Sequence, residues 1–268
     1  KISRLCALAR HAVMTVAVDN AGNVSDLSEA ALASGVGLNV VVGIDTGDGL
    51  LGVEPGGPAV DLAGAIRDAV GLKFAGLMGF QRSVFTNGAG ELAAESRKRI
   101  QRVLDARQAV EKAGMDVSVV SVGGTSDYEI AGAMHGVTEV PAGSYALMDQ
   151  ELRQRRPQFQ PAARVMATVA SVAEPGVVVT DGGQKAIGSD TGLPALEDLP
   201  GVQVKSLSAE HGNLTLDTSI AGPLGLGDKV WLTPWDIGTC VDLHDYVHGV
   251  RDGLLEVVWK VAARGRYR

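Results

Sequence analysis

Apolar and polar positions along the first half of the chain alternate between two periods. Val13–Val18 ("VMTVAV") is a short continuous apolar run, and Asn23–Ser34 then repeats apolar residues at helical spacing until Gly35 stops it. Leu38–Ile44 and Leu72–Phe80 are further strand-like runs, separated by the helical "GPAVDLAGAIRDAV". Glu91–Ala113 predicts a long helix with Ile100, Val103, Leu104 and Val110 on one face and Gly114 as its stop. Val117–Val122, Tyr128–His135 and Val137–Leu147 predict a fourth strand, a short helix and a fifth strand. Lys1–Arg10 predicts a helix before the first strand, as though the sequence opens in the middle of a repeating unit. Strands alternating with helices predict a parallel sheet.

The pattern changes at "QELRQRRPQFQPAA", a charged linker containing Gln and Pro, beyond which the helical period is lost. Short β-rich runs take over: Ala163–Val172, Gly176–Thr180, Val202–Leu207, Lys229–Leu232, Tyr246–Val250 and Leu254–Val261. Turn signals such as "EPG", "DGG", "GLGD" and "RDG" separate them, which predicts a small antiparallel β-domain. The expected organisation is an α/β domain over residues 1–152 and a β-domain over residues 160–268.

Composition narrows the class. With 268 residues and 46% hydrophobic content the chain can bury a sizeable core, and 35 glycines with only 4% aromatics suit an α/β enzyme with ligand loops. A net charge of -7, with no basic run beyond "RQRR", excludes a nucleic-acid footprint. No apolar run approaches membrane-spanning length, so no membrane partner is expected. Cys6 and Cys240 form no CxxC pair, and a reducing, cytoplasmic location is the default. No Met opens the sequence, so a fragment is expected.

Candidate chemistry sits in six places. In "VSVVSVGGTSDYEI" an apolar strand runs into Gly123-Gly124-Thr125 and then a helix; free N–H groups and the Thr hydroxyl there can cradle a phosphate, or the turn is simply capped. In "EVPAGSYALMD", Gly143-Ser144 follows the next strand, and two such loops would lie side by side at the C-terminal edge of a parallel sheet, where ligands bind. His211 in "SAEHGNL", Asp181 and Asp190 in "TDGGQKAIGSDTGLP" and Arg82 are readable as site residues or as turn and surface residues. Finally, "PWDIGTCVDLHD" gathers Asp236, Cys240, Asp242, His244 and Asp245. An extended strand would put Cys240, Asp242 and His244 on one face able to hold zinc, although no CxxC or HxxxH spacing is present.

Together these segments resemble the D-threonine aldolase and D-serine dehydratase family, fold-type III pyridoxal-phosphate (PLP) enzymes related to alanine racemase. The resemblance rests on "VVSVGGTSDYEI", "TEVPAGSYALMD", "TDGGQKAIGSDTGLP", "SAEHGNL" and "GDKVWLTPWDIGTCVDLHDYVHGVRDG", in the family's order and across essentially the whole chain. It implies a (β/α)8 barrel carrying PLP, here a partial barrel of about five of the eight units, followed by a β-domain. It implies phosphate loops at Gly123, Gly124 and Thr125 and at Gly143, Ser144 and Tyr145, with His211 as a possible catalytic group. It also implies a small D-amino acid as substrate and a homodimer in the intact protein.

The resemblance carries departures too. The family's Schiff-base lysine lies on the first barrel strand, in a segment not contained in this sequence, and Lys1 is not its equivalent; the fragment alone is expected to be inactive. Leu50 in "GDGLLGV" stands where the family has Arg, and Gln81-Arg82-Ser83 replaces its acid-Gly-His. The family's divalent metal (Zn or Mn) is held by a pair of residues just after a proline; aligned on Pro234 these are Asp236 and Gly238, and Gly238 offers no side chain. The expected function is a PLP-dependent aldolase or dehydratase of D-3-hydroxy amino acids such as D-threonine or D-serine. The alternatives are a diverged PLP-binding or non-catalytic homologue and a metal-independent amino-acid racemase. An incomplete barrel would leave two parallel edge strands, and such a chain is expected to self-associate.

Overall fold

The structure, a computed structural model, describes residues 1–80 and 89–266. Arg82 and its neighbours in the "QRS" departure lie outside the described residues. Backbone contacts divide the chain into two compact units, Lys1–Gly143 and Ser144–Arg268.

The first unit is built on four parallel strands in the order β1 (Thr15–Val18), β2 (Leu38–Gly43), β3 (Leu72–Gly79) and β4 (Val119–Val122). Helices alternate with them: α1 (Ile2–Ala9), α2 (Ala21–Ser34), α3 (Gly57–Asp68), α4 (Ala89–Lys112) and α5 (Tyr128–Ala133). Helix α2 starts where the Asn20 side chain accepts from the Asn23 N–H at 2.9 Å, and it stops at Gly35 in the left-handed region, as its sequence signals imply. Val40, Val42, Leu77, Val120 and Val122 point from the strands onto Leu27, Ile66, Ile100, Val103 and Val110 of the helices, forming one buried core. Burying each of these larger aliphatic side chains contributes about 1.5–3 kcal/mol.

The fifth strand, expected over Val137–Leu147, is reduced to one bridge, Ser121 to Glu139. Thr138 and Glu139 donate to the Val120 carbonyl at 3.0 and 3.1 Å, and Glu139 accepts from Val122 N–H at 3.1 Å. The ladder stops there for two reasons. The Thr138 hydroxyl takes the Val120 N–H at 2.8 Å, the bond a strand carbonyl would make. Two residues further on, Pro141 has no N–H to donate.

The second unit begins with a 3-10 turn at Ser144–Ala146 and a short helix α6 (Gln150–Arg155). A five-stranded antiparallel sheet follows, in the order β7 (Val202–Leu207), β8 (Gly212–Leu216), β6 (Val177–Thr180), β5 (Val165–Glu174) and β9 (Lys229–Leu232). Two short helices, α7 (Gln184–Ile187) and α8 (Ile237–Asp242), pack with it, and a separate hairpin joins β10 (Tyr246–Arg251) to β11 (Leu254–Lys260). Val169, Val178, Ile187, Leu214, Val230, Leu232 and Cys240 form its core. β8 was not expected, and neither was the helical state of residues 237–242. Among the described residues no helix is long and apolar enough to cross a membrane.

Candidate functional site

Strand β4 delivers the chain into Gly123-Gly124-Thr125. Gly123 has φ +89°, and a Cβ there would lie 2.7 Å from the Ala131 Cβ, so only glycine fits between β4 and α5. A Cβ on Gly124 would meet nothing within 4 Å. Thr125 is buried. Asp127, which sequence reasoning missed, closes the loop: only 2% exposed, it accepts the Gly124 N–H on Oδ1 at 2.8 Å and donates its own N–H to the Gly124 carbonyl at 3.3 Å. It stands at the N-cap of α5 yet makes no side-chain bond to the helix amides, because its carboxylate turns back into the glycine loop.

The second loop is different in kind. Gly143 and Ser144 are exposed, and their N–H groups find no acceptor among the described residues. The Ser144 carbonyl is occupied by the Leu147 and Met148 N–H groups at 3.2 and 2.8 Å. Tyr145 is half exposed, with its ring 5.8 Å from that of Phe159.

His211 sits where two segments lock together. Gln184 and Lys185 donate their backbone N–H to Ser208 and Ala209 carbonyls at 2.9 and 3.1 Å, and a Cβ on Gly183 would fall 2.4 Å from the Glu210 carbonyl carbon. The His211 backbone is tied to Ser208, while its side chain is exposed. Beside it an exposed Lys185–Glu210 pair meets at 2.8 Å, and the Lys185 hydrogen bond lowers the Glu210 carboxyl. Asp181 accepts the Thr168 N–H at 2.6 Å as a turn residue, and Asp190 is exposed.

In "PWDIGTCVDLHD" the extended conformation that would align Cys240, Asp242 and His244 is not adopted, because residues 237–242 form helix α8. The reason is Asp236, whose Oδ1 accepts the Thr239 N–H at 3.1 Å and caps the helix. Cys240 is buried in the β-domain core, and burial, reinforced by the Asp236 charge, pushes its thiol up to about 11, so it stays protonated. His244 Nε2 is 2.7 Å from the Ala186 carbonyl, and Asp245 pairs with Arg264 at 2.9 Å. A protonated thiol, a capping carboxylate, a carbonyl-bound imidazole and Gly238 do not make a divalent-cation site. Among the described residues no three His, Cys, Asp or Glu side chains are grouped so as to hold a metal ion.

Asp149 is the second residue missed from sequence. It is 5% exposed and accepts two backbone N–H groups, from Leu152 at 2.8 Å and from Ile237 at 3.2 Å, so it starts both α6 and α8. Burial raises its carboxyl above the ordinary value, the two N–H bonds oppose this, Asp236 adds to it and Arg155 opposes it. The Gln150 and Glu151 N–H groups donate to the Pro234 and Trp235 carbonyls at 3.0 and 3.3 Å, fastening the same two segments. At the end of β2, Asp45 accepts from Gly47 and Gly49 at 2.8 and 3.1 Å, which lowers its carboxyl, while Leu50 beyond it is 53% exposed.

Comparison with known proteins places these features in a family. The family described as "Alanine racemase, N-terminal domain" matches residues 3–151, and the "Putative serine dehydratase domain" matches residues 162–250. The chain is 33% identical to D-threonine aldolase of an Arthrobacter species over 270 residues, spanning 99% of this chain and 71% of that protein. It is 34% identical over 277 residues to 3-hydroxy-D-aspartate aldolase of Paracoccus denitrificans, again over 99% of this chain and 71% of the relative. The crystal structure of D-threonine aldolase from Filomicrobium marinum superposes with a TM-score of 0.92 at 33% identity, covering 100% of this chain and 74% of the other. D-threo-3-hydroxyaspartate dehydratase from Delftia sp. HT23 shares the fold, with a TM-score of 0.78 at 22% identity over 94% of this chain and 73% of that one. The chain thus belongs to the D-threonine aldolase and D-serine dehydratase family of lyases, in which the alanine racemase N-terminal domain is joined to a β-domain.

Proposed function

We propose that the protein containing this chain is a PLP-dependent lyase of small D-3-hydroxy amino acids, cleaving or dehydrating them between Cα and the hydroxyl-bearing carbon. The observation that carries this function is the likeness to D-threonine aldolases along 99–100% of this chain, at 33% identity and, for the solved one, a TM-score of 0.92. Bound PLP would supply an electron sink at the substrate Cα.

The chain's own residues fit the cofactor's phosphate unevenly. Gly143 and Ser144 present N–H groups that no acceptor among the described residues uses, so they would donate to a phosphate directly, with Tyr145 beside them. At Gly123, Gly124 and Thr125 the open side of Gly124 leaves room for a phosphate, but its N–H already serves the Asp127 carboxylate. His211 would serve as a proton carrier, since its backbone is pinned and its ring exposed. No step is assigned to a metal, because the residues around Asp236 do not fit one.

A second reading, a PLP-binding homologue without lyase activity, is favoured by Leu50 and Gly238 at positions where the family has functional side chains. Product analysis separates the two. Protein expressed from the complete reading frame, given PLP, should absorb in the visible and convert 3-hydroxy-D-aspartate either to glycine and glyoxylate or to an oxoacid and ammonia. PLP absorption with neither product set formed would favour the second reading.

A further inference from the structure

The parallel strands of the first unit share one direction, so their sheet has two unlike edges. The first glycine loop leaves from the C-terminal edge, after β4. A cavity of about 580 Å³ opens at the opposite edge, where β1, β2 and β3 begin, and its size is that of a small-molecule site. Its polar side chains are His11, Asn39 and Lys73, and no Asp or Glu lines it. Asn39 and Lys73 are register partners on β2 and β3, so they stand side by side, about one strand spacing of 4.8 Å apart. Among the described residues neither of these side chains, nor the His11 ring, has a hydrogen-bonding or charged partner. The N–H groups of Val13, Met14, Gly37 and Gly71 border the same cavity and find no acceptor among those residues. Val13 is 88% exposed and offers an uncovered apolar wall.

We propose that this cavity binds a small organic anion with a short apolar body, at a site separate from the glycine loops. The proposal does not rest on the lyase reading. Its basis is that the lining is chemically one-sided. In a chain of net charge -7, a cation and several donors are gathered here with no carboxylate to neutralise them. An anionic head would accept from Lys73, the Asn39 amide and the His11 ring N–H, and its bond to Lys73 is charge-assisted. Val13 and Met14 would flank the body. Removing one charge at about 4 Å weakens binding about fivefold in water-like surroundings, and more where the cavity excludes water. A carboxylate and a phosphate monoester share this head-group chemistry.

Benzoate and phenyl phosphate carry the two heads on the same ring, and benzamide carries a neutral one. Each is titrated at neutral pH into the full chain, and binding is read from the imidazole Cε1–Hε1 signals in a proton–carbon correlation spectrum. The chain has five His, and the His11 signal is the one that His11→Gln removes. Benzoate, phenyl phosphate or both should move the His11 signal saturably at about millimolar concentration, a modest affinity suited to few contacts. The other His signals should stay in place, and benzamide should have no effect. Benzoate alone would name a carboxylate ligand, phenyl phosphate alone a phosphate ester, and both an anionic head of either kind. Lys73→Gln should weaken binding by about fivefold or more. Asn39→Asp, which sets a carboxylate in the cavity, should weaken it further. The remaining His signals report that each variant is folded. A His11 signal unmoved by either anion well above millimolar concentration would overturn the proposal. So would benzamide binding as well as the anions do, or unchanged affinity in either folded variant.

Discussion

Replacing Asp149 by Ala removes one carboxylate that starts two helices. The Leu152 N–H loses its N-cap acceptor, a change worth about 1 kcal/mol. The Ile237 N–H, in a residue 8% exposed, is left unsatisfied, which costs about 1–3 kcal/mol more. Some of this is returned, because the buried charge that raises the Asp149 carboxyl is removed as well. The expected net loss is about 2 kcal/mol, or roughly 1 M in the urea midpoint for a domain-sized m-value near 2 kcal/mol/M. Tryptophan emission reads it selectively, since Trp231, Trp235 and Trp259 all lie in the second unit. Asp149→Asn keeps one acceptor and loses the other, so it should fall between parent and Ala. The pH dependence has a definite sign. A carboxyl raised in the folded state binds more protons folded than unfolded, so its contribution to stability falls as pH rises from 3.8 through the raised folded value and is level above it. The penalty of Asp149→Ala should shrink across that window. A change below about 0.5 kcal/mol, the range of an ordinary surface substitution, or a penalty that grows with pH there, would refute the double-cap account.

Other outcomes are equally specific. Cys6 and Cys240 are buried, and the Cys240 thiol is pushed up to about 11, so neither should react with a disulfide reagent at pH 8 until the chain is unfolded; fast native-state labelling of Cys240 would contradict its place in the core. Gly183→Ala would set a Cβ 2.4 Å from the Glu210 backbone and should destabilise the second unit by about 1–3 kcal/mol, measured by the same emission; an unchanged midpoint would count against the lock beneath His211. Asp45, lowered by the Gly47 and Gly49 N–H groups, adds stability that is present above 3.8 and lost as pH falls through its depressed folded value. Asp45→Asn should therefore flatten the acid limb of a pH-stability profile, and an unaltered limb would remove Asp45 from that role.

The parallel sheet and its helices were legible because buried strands and helix stops leave continuous runs and glycines that local chemistry explains. Residues 137–147 misled because "VTEV" has strand composition, whereas the Thr138 hydroxyl and Pro141 end the ladder after one bridge. The helical state of residues 237–242 was not anticipated because polar and apolar residues alternate in "TCVDLHD", which is also what an extended segment would show. The signal that decides it, Asp236 three residues before Thr239, is a helix cap rather than a periodicity. The glycine loops could be found from sequence, since Gly123 sits where no side chain fits. Asp127 and Asp149 could not, because their importance comes from burial and from partners: one carboxylate turned back into a loop, the other reaching a helix 88 residues away.

The central claim is lyase chemistry on D-3-hydroxy amino acids, and cleavage of threonine tests it most directly. Protein from the complete reading frame, supplied with PLP, should release glycine and acetaldehyde in equal amounts from D-threonine and far less from L-threonine. Saturating PLP binding with no product from D-threonine, D-serine or 3-hydroxy-D-aspartate would contradict it.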